Sequence, residues 1–270
     1  MIKLENVVLP SPEQWKAIIR GMRNPKNSWN KSDSCAVKDI AFLLGDKDLE
    51  LANKLSNGGP VHAKYRRMIP VYLDVVAPLY WWKEFDTYKV GTVVNSCSTM
   101  HKIADKEFVA EDFSIEHLHP RAALQMTDTI RELNFWRDIY LNGGNVDNLN
   151  GTSVNLYQPK SKEAWWQMIQ LLPSSYNQKR TVFLNYEVLA NIYRWRKDHK
   201  LDEWQKFCKW IKNLPYSELI IKPIHKEIKR NRILSEMLDA FETYLQDKNT
   251  ADLSVKLSKL MEFAEDSSDE

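Results

Sequence analysis

Arg196 and His199 stand where a helix would turn both toward its apolar side. Set at 100° per residue from Val188, the segment Asn185–His199 gathers Trp195, His199, Ile192, Arg196 and Leu189 into one stripe from about 340° to about 100°, with Arg196 at about 80°. The spacing predicts that Trp195 and Ile192 are core residues. A guanidinium taken out of water needs an anionic or bidentate partner, because its desolvation is costly. That partner is either a ligand, through a phosphate or a polarised carbonyl, or the protein itself, through Glu203 or Asp198. A third possibility is an Arg stem that snorkels to solvent.

Other groups with chemistry in their type have less in their spacing. His117 and His119, in EHLHP, are two residues apart, so on a helix they face about 200° away from each other and share no metal; no Cys or His cluster accompanies them, and no metal site is expected. Ser98, in NSCST, lacks the GxSxG elbow that exposes a hydrolase nucleophile. Neither a P-loop nor a GxGxxG stretch occurs. The stretch His62–Met68, HAKYRRM, has the charge to touch phosphates or to form a solvated face.

The elements that would position these residues are read from periodicity and breakers. EQWKAIIRGM, after Pro10-Ser11-Pro12, predicts a helix with Trp15, Ile18, Ile19 and Met22 on one side. Arg23–Ser34 reads as a polar loop, Ala36–Leu44 and Asp48–Leu55 as two short helices, and Ser56–Pro60 as a break. Met68–Val76 reads as a strand, with Ala77-Pro78 opening a helix that carries Trp81, Trp82 and Phe85. Thr87–Val94 is β-prone and Asn95–Thr99 a polar turn. Helices are expected from Ser114 to Leu141, with Pro120 at a start, from Lys162 to Leu171, from Asn185 to His199 and from Leu201 to Leu214. Asn142–Thr152 reads as a loop, and residues 262–270 as a solvated acidic tail after a single domain over 1–261.

Of the 270 residues, 43% are apolar and 27% charged, which excludes disorder as the main state. A net charge of +2 is too even for a protein whose main task is gripping duplex nucleic acid. Val71–Trp82, interrupted by Asp74 and Pro78, falls short of the ~20 residues of a membrane helix. Three scattered cysteines form no disulfide framework, and the first fifteen residues have no secretory pattern. The expectation is a soluble cytoplasmic protein.

Two blocks taken together add a resemblance. HAKYRRMIPVYLDVVAP, followed by aromatics and then Asn95-x-x-Ser98, and LPSSYNQKRTVFLNYEVLANIYRWRKDHKLDEW resemble, in order and spacing, the flavin-dependent thymidylate synthases, the thymidylate-synthase-complementing family. That family has a His 16 residues before the Pro of an Ala-Pro, as His62 precedes Pro78, and a Leu-Pro followed by Asn, Asn and Arg at the intervals of Pro173, Asn185, Asn191 and Arg196. The similarity runs over residues 48–206.

The resemblance implies an α/β fold, a central sheet flanked by helices with extra helices at both ends, assembled as a homotetramer with FAD between subunits. It would bury the apolar run around Trp81 and Trp82 between copies. It implies FAD held by His62, Asn185, Asn191 and His199, and a pyrimidine nucleotide met by Lys89, Glu84 and Asn95. Arg196, at the uracil ring, and Ser98, on the dUMP side, are the catalytic candidates. The implied reaction is reductive methylation of dUMP to dTMP with methylenetetrahydrofolate and NADPH as co-substrates. The family's Arg-His-Arg falls on Thr87-Tyr88-Lys89, its signature Glu on Ser96 and the next Arg on Met100; an Arg expected before Pro173 is Ile169, and a Gln ahead of the signature is Glu84. Lys lacks the bidentate geometry of Arg, so the missing charge would have to come from Lys64, Arg66, Arg67 or Arg180. Two alternatives stand beside the synthase: a flavoenzyme acting on another pyrimidine nucleotide, and a non-catalytic relative that binds a nucleotide or a protein.

Overall fold

Alternation along two nine-residue strands organises the molecule, whose computed structural model describes residues 2–37, 41–144 and 161–221. The strands β1 (Lys3–Val8), β2 (Cys35–Val37), β3 (Ala41–Leu43), β4 (Pro70–Pro78), β5 (Val93–Ser96) and β6 (Asn177–Asn185) form a four-stranded sheet, ordered β1-β4-β6-β5, and the hairpin β2-β3. In β4, Val71, Leu73, Val75 and Ala77 are buried and Tyr72 is exposed; in β6, Gln178, Val182 and Leu184 are buried, while Lys179 and Thr181 are exposed. This period of two gives the sheet one core face and one polar face.

The helices are α1 (Pro12–Arg23), α2 (Asp46–Asn57), α3 (Leu79–Phe85), α4 (Thr99–Lys102), α5 (Pro120–Asn142), α6 (Ser161–Leu171), α7 (Tyr186–Arg196) and α8 (Asp202–Lys212). The mixed α/β class implied by the resemblance is the class observed. None of the described helices is long and apolar enough to cross a membrane.

The chain divides into two compact units. The first comprises Met1–Val8, Tyr72–Leu184 and Trp195–Lys209. Within it β1 pairs antiparallel with β4, and β5 with β6. A register shift between Glu5 and Val8 coincides with Asn6 at φ 52°, a left-handed conformation that Asn tolerates. Asn6, Thr181 and Lys179 all donate to the Asp74 carboxylate on the polar face, at 2.8, 2.6 and 3.0 Å. Those donors hold its pKa down to about 2, the Thr181 bond contributing most. Helices α5 and α6 pack around Met126, Leu133 and Met168.

The second unit comprises Leu9–Val71, Asn185–Arg194 and Trp210–Glu270. Ser11 and Gln14 form a capping box at the start of α1, whose Trp15, Ile18, Ile19 and Met22 are buried as their spacing predicts. Trp15 stacks on Phe42 at 5.8 Å and meets Tyr216 edge-on at 4.9 Å, a geometry that aromatic quadrupoles favour.

Four expectations about local structure are corrected. The described residues of the expected helix Ala36–Leu44 form strands: Cys35 to Val37 pair antiparallel with Leu43 to Ala41, so contacts between two short apolar runs override helix propensity. Residues 177–185 form β6, so Asn185 closes a strand and does not open the expected helix. Within Thr87–Val94 only Val93 and Val94 are in a strand, and Asn95 and Ser96 continue it rather than turn. The loop expected over Asn142–Thr152 lies largely outside the described residues, and the acidic tail entirely so.

Candidate functional site

Pro78 sets the site in motion. Its extended backbone ends β4 and opens α3, and the first orphan N–H groups of that helix find carbonyls: Leu79 donates to Tyr176 and Tyr80 to Ser174, both at 3.0 Å. The helix then carries Trp81, Trp82 and Phe85 into full burial. Trp81 lies 4.7 Å from Trp204 and 5.0 Å from Phe85, centroid to centroid. Both tryptophans at 81 and 82 are covered within the chain, so the apolar run is no longer an argument for a subunit interface.

On the less buried side of this aromatic block, Glu84 becomes a hub. Its Oε2 accepts from Arg196 Nη1 at 2.6 Å and from Trp204 Nε1 at 2.9 Å, with His199 Nε2 at 3.4 Å. Arg196 Nε donates to the Tyr88 hydroxyl at 3.0 Å, and its guanidinium carbon lies 4.9 Å from the Trp204 ring centre. Two hydrogen bonds and a cation–π contact thus fix the guanidinium plane. Among the described residues no hydrogen bond is made by Nη2.

Arg196, Glu84 and His199, three predicted site residues, are therefore brought together. The expected internal partners Glu203 and Asp198 are not the ones used: Glu203 accepts from the Tyr80 hydroxyl at 2.6 Å, and Asp198 lies 3.8 Å from Lys197. The helix stops at Arg196, so His199 is off it, and Trp195 is 69% exposed rather than core. The stripe holds for Val188, Leu189 and Ile192, all buried, and fails from Trp195 in the last turn onward.

A second arginine is built the same way in the same unit. Arg180, on β6, lies 4.2 Å over the Trp82 ring, donates from Nε to Gln178 Oε1 at 2.8 Å and from Nη1 to Asp86 at 2.9 Å. Gln178 is itself fixed by its bond to the Cys97 carbonyl at 2.7 Å. Burial pulls the Arg180 pKa below its ordinary value, against which Asp86 acts.

Lys89 and Asn95 are exposed, and Ser98 Oγ caps α4 by accepting from the His101 amide at 3.3 Å. Among the described residues no hydrogen bond or ion pair joins Lys89, Asn95 or Ser98 to the Glu84 cluster. Tyr88, Trp204 and Arg180 are the participants to which sequence reasoning gave no definite role; no local spacing marks the first two, since their partners come from distant strands and helices.

In the other unit, Asn185 is 6% exposed and its Oδ1 accepts from the amides of Glu187 and Val188, both at 3.1 Å, the behaviour of an N-cap. Asn191 is exposed on α7. His62 is exposed in the turn before the 3₁₀ segment Ala63–Met68, not at a strand start. A Cβ on Gly58 would come within 3.0 Å of its ring. Judged as flavin ligands, His62 and Asn191 have side chains with no hydrogen bond among the described residues, and Asn185 has its amide NH₂ to offer. His199 does not fit: Nδ1 accepts from the Leu201 amide at 3.1 Å and Nε2 faces Glu84.

The chain matches no family sequence model, and no curated protein matches it by sequence. Its likeness is to solved structures. Thymidylate synthase X from Helicobacter pylori, crystallised with FAD and dUMP, superposes with a TM-score of 0.55 at 15% identity, covering 81% of this chain and 95% of that one. A second structure of the flavin-dependent enzyme from Helicobacter pylori, also complexed with FAD and dUMP, gives 0.50 with the same identity and coverage. The UMP/dUMP methylase PolB from Streptomyces cacaoi, bound with 5-Br dUMP, gives 0.48 at 12% identity over 79% of this chain and 89% of that one. The first two show that the fold is that of thymidylate synthase X.

Proposed function

We propose that this chain is an FAD-dependent enzyme that reductively methylates dUMP to dTMP, with methylenetetrahydrofolate as carbon donor and a reduced nicotinamide as reductant. The observation that carries the reading is Arg196. Its guanidinium is fixed by Glu84, Tyr88 and Trp204, with Nη2 uncommitted among the described residues, within a fold whose similar structures were solved with FAD and dUMP. A donor fixed in advance stabilises charge that develops on a pyrimidine carbonyl without having to reorganise. Glu84 neutralises the guanidinium, which suits a neutral carbonyl better than a phosphate as its ligand.

Bound flavin, once reduced by the nicotinamide, would supply the hydride that the pyrimidine receives. His62 and Asn191 would hold it through free side chains, with the Asn185 amide NH₂ beside them. Lys89, Asn95 and Ser98 would border the nucleotide. The assembly that would complete such a site is a homotetramer, and it would draw on exposed apolar side chains such as Leu124, Leu141 and Trp166 rather than on Trp81 and Trp82.

The competing reading is a relative that keeps the fold and flavin but acts on another pyrimidine nucleotide, or binds without catalysis. It is favoured by Thr87-Tyr88-Lys89 in place of Arg-His-Arg, where Tyr88 is committed to Arg196. Rescue of a thymidine-requiring strain separates the two. Growth with the native chain and none with Arg196→Ala supports the synthase; no growth with either, from a folded and FAD-loaded protein, selects the competing reading.

A further inference from the structure

A cavity in the first unit shares no residue with the cluster around Glu84. It opens at the start of α5 and measures about 560 Å³, a size that takes a small organic molecule. One wall is a face of α5, since Ala122, Gln125, Met126 and Thr129 are three and four residues apart. The facing wall is fixed before any ligand arrives: the Ser114 amide donates to the Ser175 carbonyl and Ser114 Oγ to Asn177 Oδ1, both at 2.8 Å. Ile115, Leu118 and the buried Met126 make the lining apolar.

The polar part of the lining has one sign. It holds a cation, Arg121, and no carboxylate. Among the described residues the Arg121 and Gln125 side chains make no hydrogen bond or ion pair. His119 Nδ1 accepts from the Arg121 amide at 3.3 Å, so the proton of the neutral ring is on Nε2, which is a further donor. The amides of Ala122 and Ala123 donate to the His119 carbonyl at 2.8 and 3.0 Å. The helix end is thus already capped, and side chains rather than bare amides face the cavity.

We propose that this cavity binds a small amphiphilic monocarboxylate, its carboxylate on Arg121 and its apolar body against Ile115, Leu118 and Met126. One cation neutralises one negative charge, and a planar guanidinium meets a carboxylate through two parallel N–H donors. A phosphate dianion would keep one charge unmatched beside an apolar wall. Gln125, one turn beyond Arg121, and His119 add neutral donors, and the positive end of α5 favours an anion at the same place. Met126 adapts to the shape of the apolar body. The site goes beyond the nucleotide reading and does not depend on it.

The probes are octanoate and its neutral counterpart octanamide, titrated by calorimetry into the full-length chain. The native protein should bind octanoate about tenfold or more tightly than octanamide, the preference a charge-assisted hydrogen bond provides. Arg121→Gln should bring octanoate down to the level of octanamide and leave octanamide unchanged. Ala122→Phe, a change at an exposed helical position, fills the cavity and should abolish binding of both probes, which serves if Arg121→Gln fails to fold. No octanoate binding by the native chain, or equal native affinity for the two probes, overturns the site. A preference for octanoate that survives in Arg121→Gln, or binding that is unmoved in Ala122→Phe, does the same. Each of these results leaves the nucleotide reading where it stands.

Discussion

Two arginine–carboxylate centres, one in each unit, use the same chemistry to opposite ends. Arg23 and Asp48 are 4% and 0% exposed as side chains, and Arg23 Nε donates to Asp48. The other Asp48 oxygen accepts from Ser32 Oγ at 2.7 Å, Ser34 Oγ at 2.6 Å and the Ser34 amide at 3.0 Å. Arg23 Nη1 reaches the Ser28 carbonyl at 3.2 Å, and its Nη2 has no partner among the described residues but also no solvent. Arg196 and Glu84 are 21% and 33% exposed as side chains, and Arg196 Nη2 makes no hydrogen bond among the described residues. A closed pair stitches the chain to itself; a pair fixed on one side and open on the other can hold a ligand.

The comparison makes its largest claim on stability. Asp48→Ala should destabilise the protein by about 3–5 kcal/mol, because it strands a buried guanidinium, with nucleotide affinity per folded molecule unchanged. Denaturant titration alongside calorimetry measures both. The acid limb carries the same signature. Burial raises the Asp48 pKa, but hydrogen bonds from Ser34, Ser32 and Arg23 outweigh it and hold the folded value below the ordinary one. The unfolded chain therefore takes up the proton first as pH falls below about 4, so the contribution is full above that point and is lost as pH drops through the folded pKa. Asp48→Asn should flatten that limb relative to the native protein.

Arg196→Ala should reverse the balance. We expect a stability loss of about 1 kcal/mol, since the pair is partly solvated, with dUMP affinity reduced about tenfold or more. A loss matching that of Asp48→Ala, with dUMP affinity intact, would make both centres structural and end the contrast.

The smallest effect concerns His62. Gly58→Ala introduces a Cβ that the His62 ring must avoid, with ordinary backbone angles at Gly58. Stability should move by less than about 0.5 kcal/mol, as for other surface changes, while FAD affinity falls measurably in a flavin-quenching titration. Unchanged FAD affinity would remove His62 from the flavin site.

What could be read from the sequence follows contact range. The helices with strong periodicity, α1 with Trp15, Ile18, Ile19 and Met22 above all, were legible because neighbours three and four apart decide them. The Pro78 junction was legible because proline acts locally. Strands β1 and β6 and the β2-β3 hairpin were not, since a strand is stabilised by partners far along the chain, as Asn95 is beside Thr181. The site divides likewise. Arg196 and Glu84 were both singled out, yet their pairing across 112 positions was not foreseeable. The helix end that exposes Trp195 and releases His199 was not signalled by any Gly or Pro.

The most direct test of the account is the absorbance of the purified full-length chain with added FAD, before and after dUMP. We predict bound-flavin bands that survive removal of free FAD, shift on addition of dUMP, and no longer respond to dUMP in Arg196→Ala. A folded protein that stays colourless and shows no FAD affinity by calorimetry would contradict the flavoenzyme reading at its root.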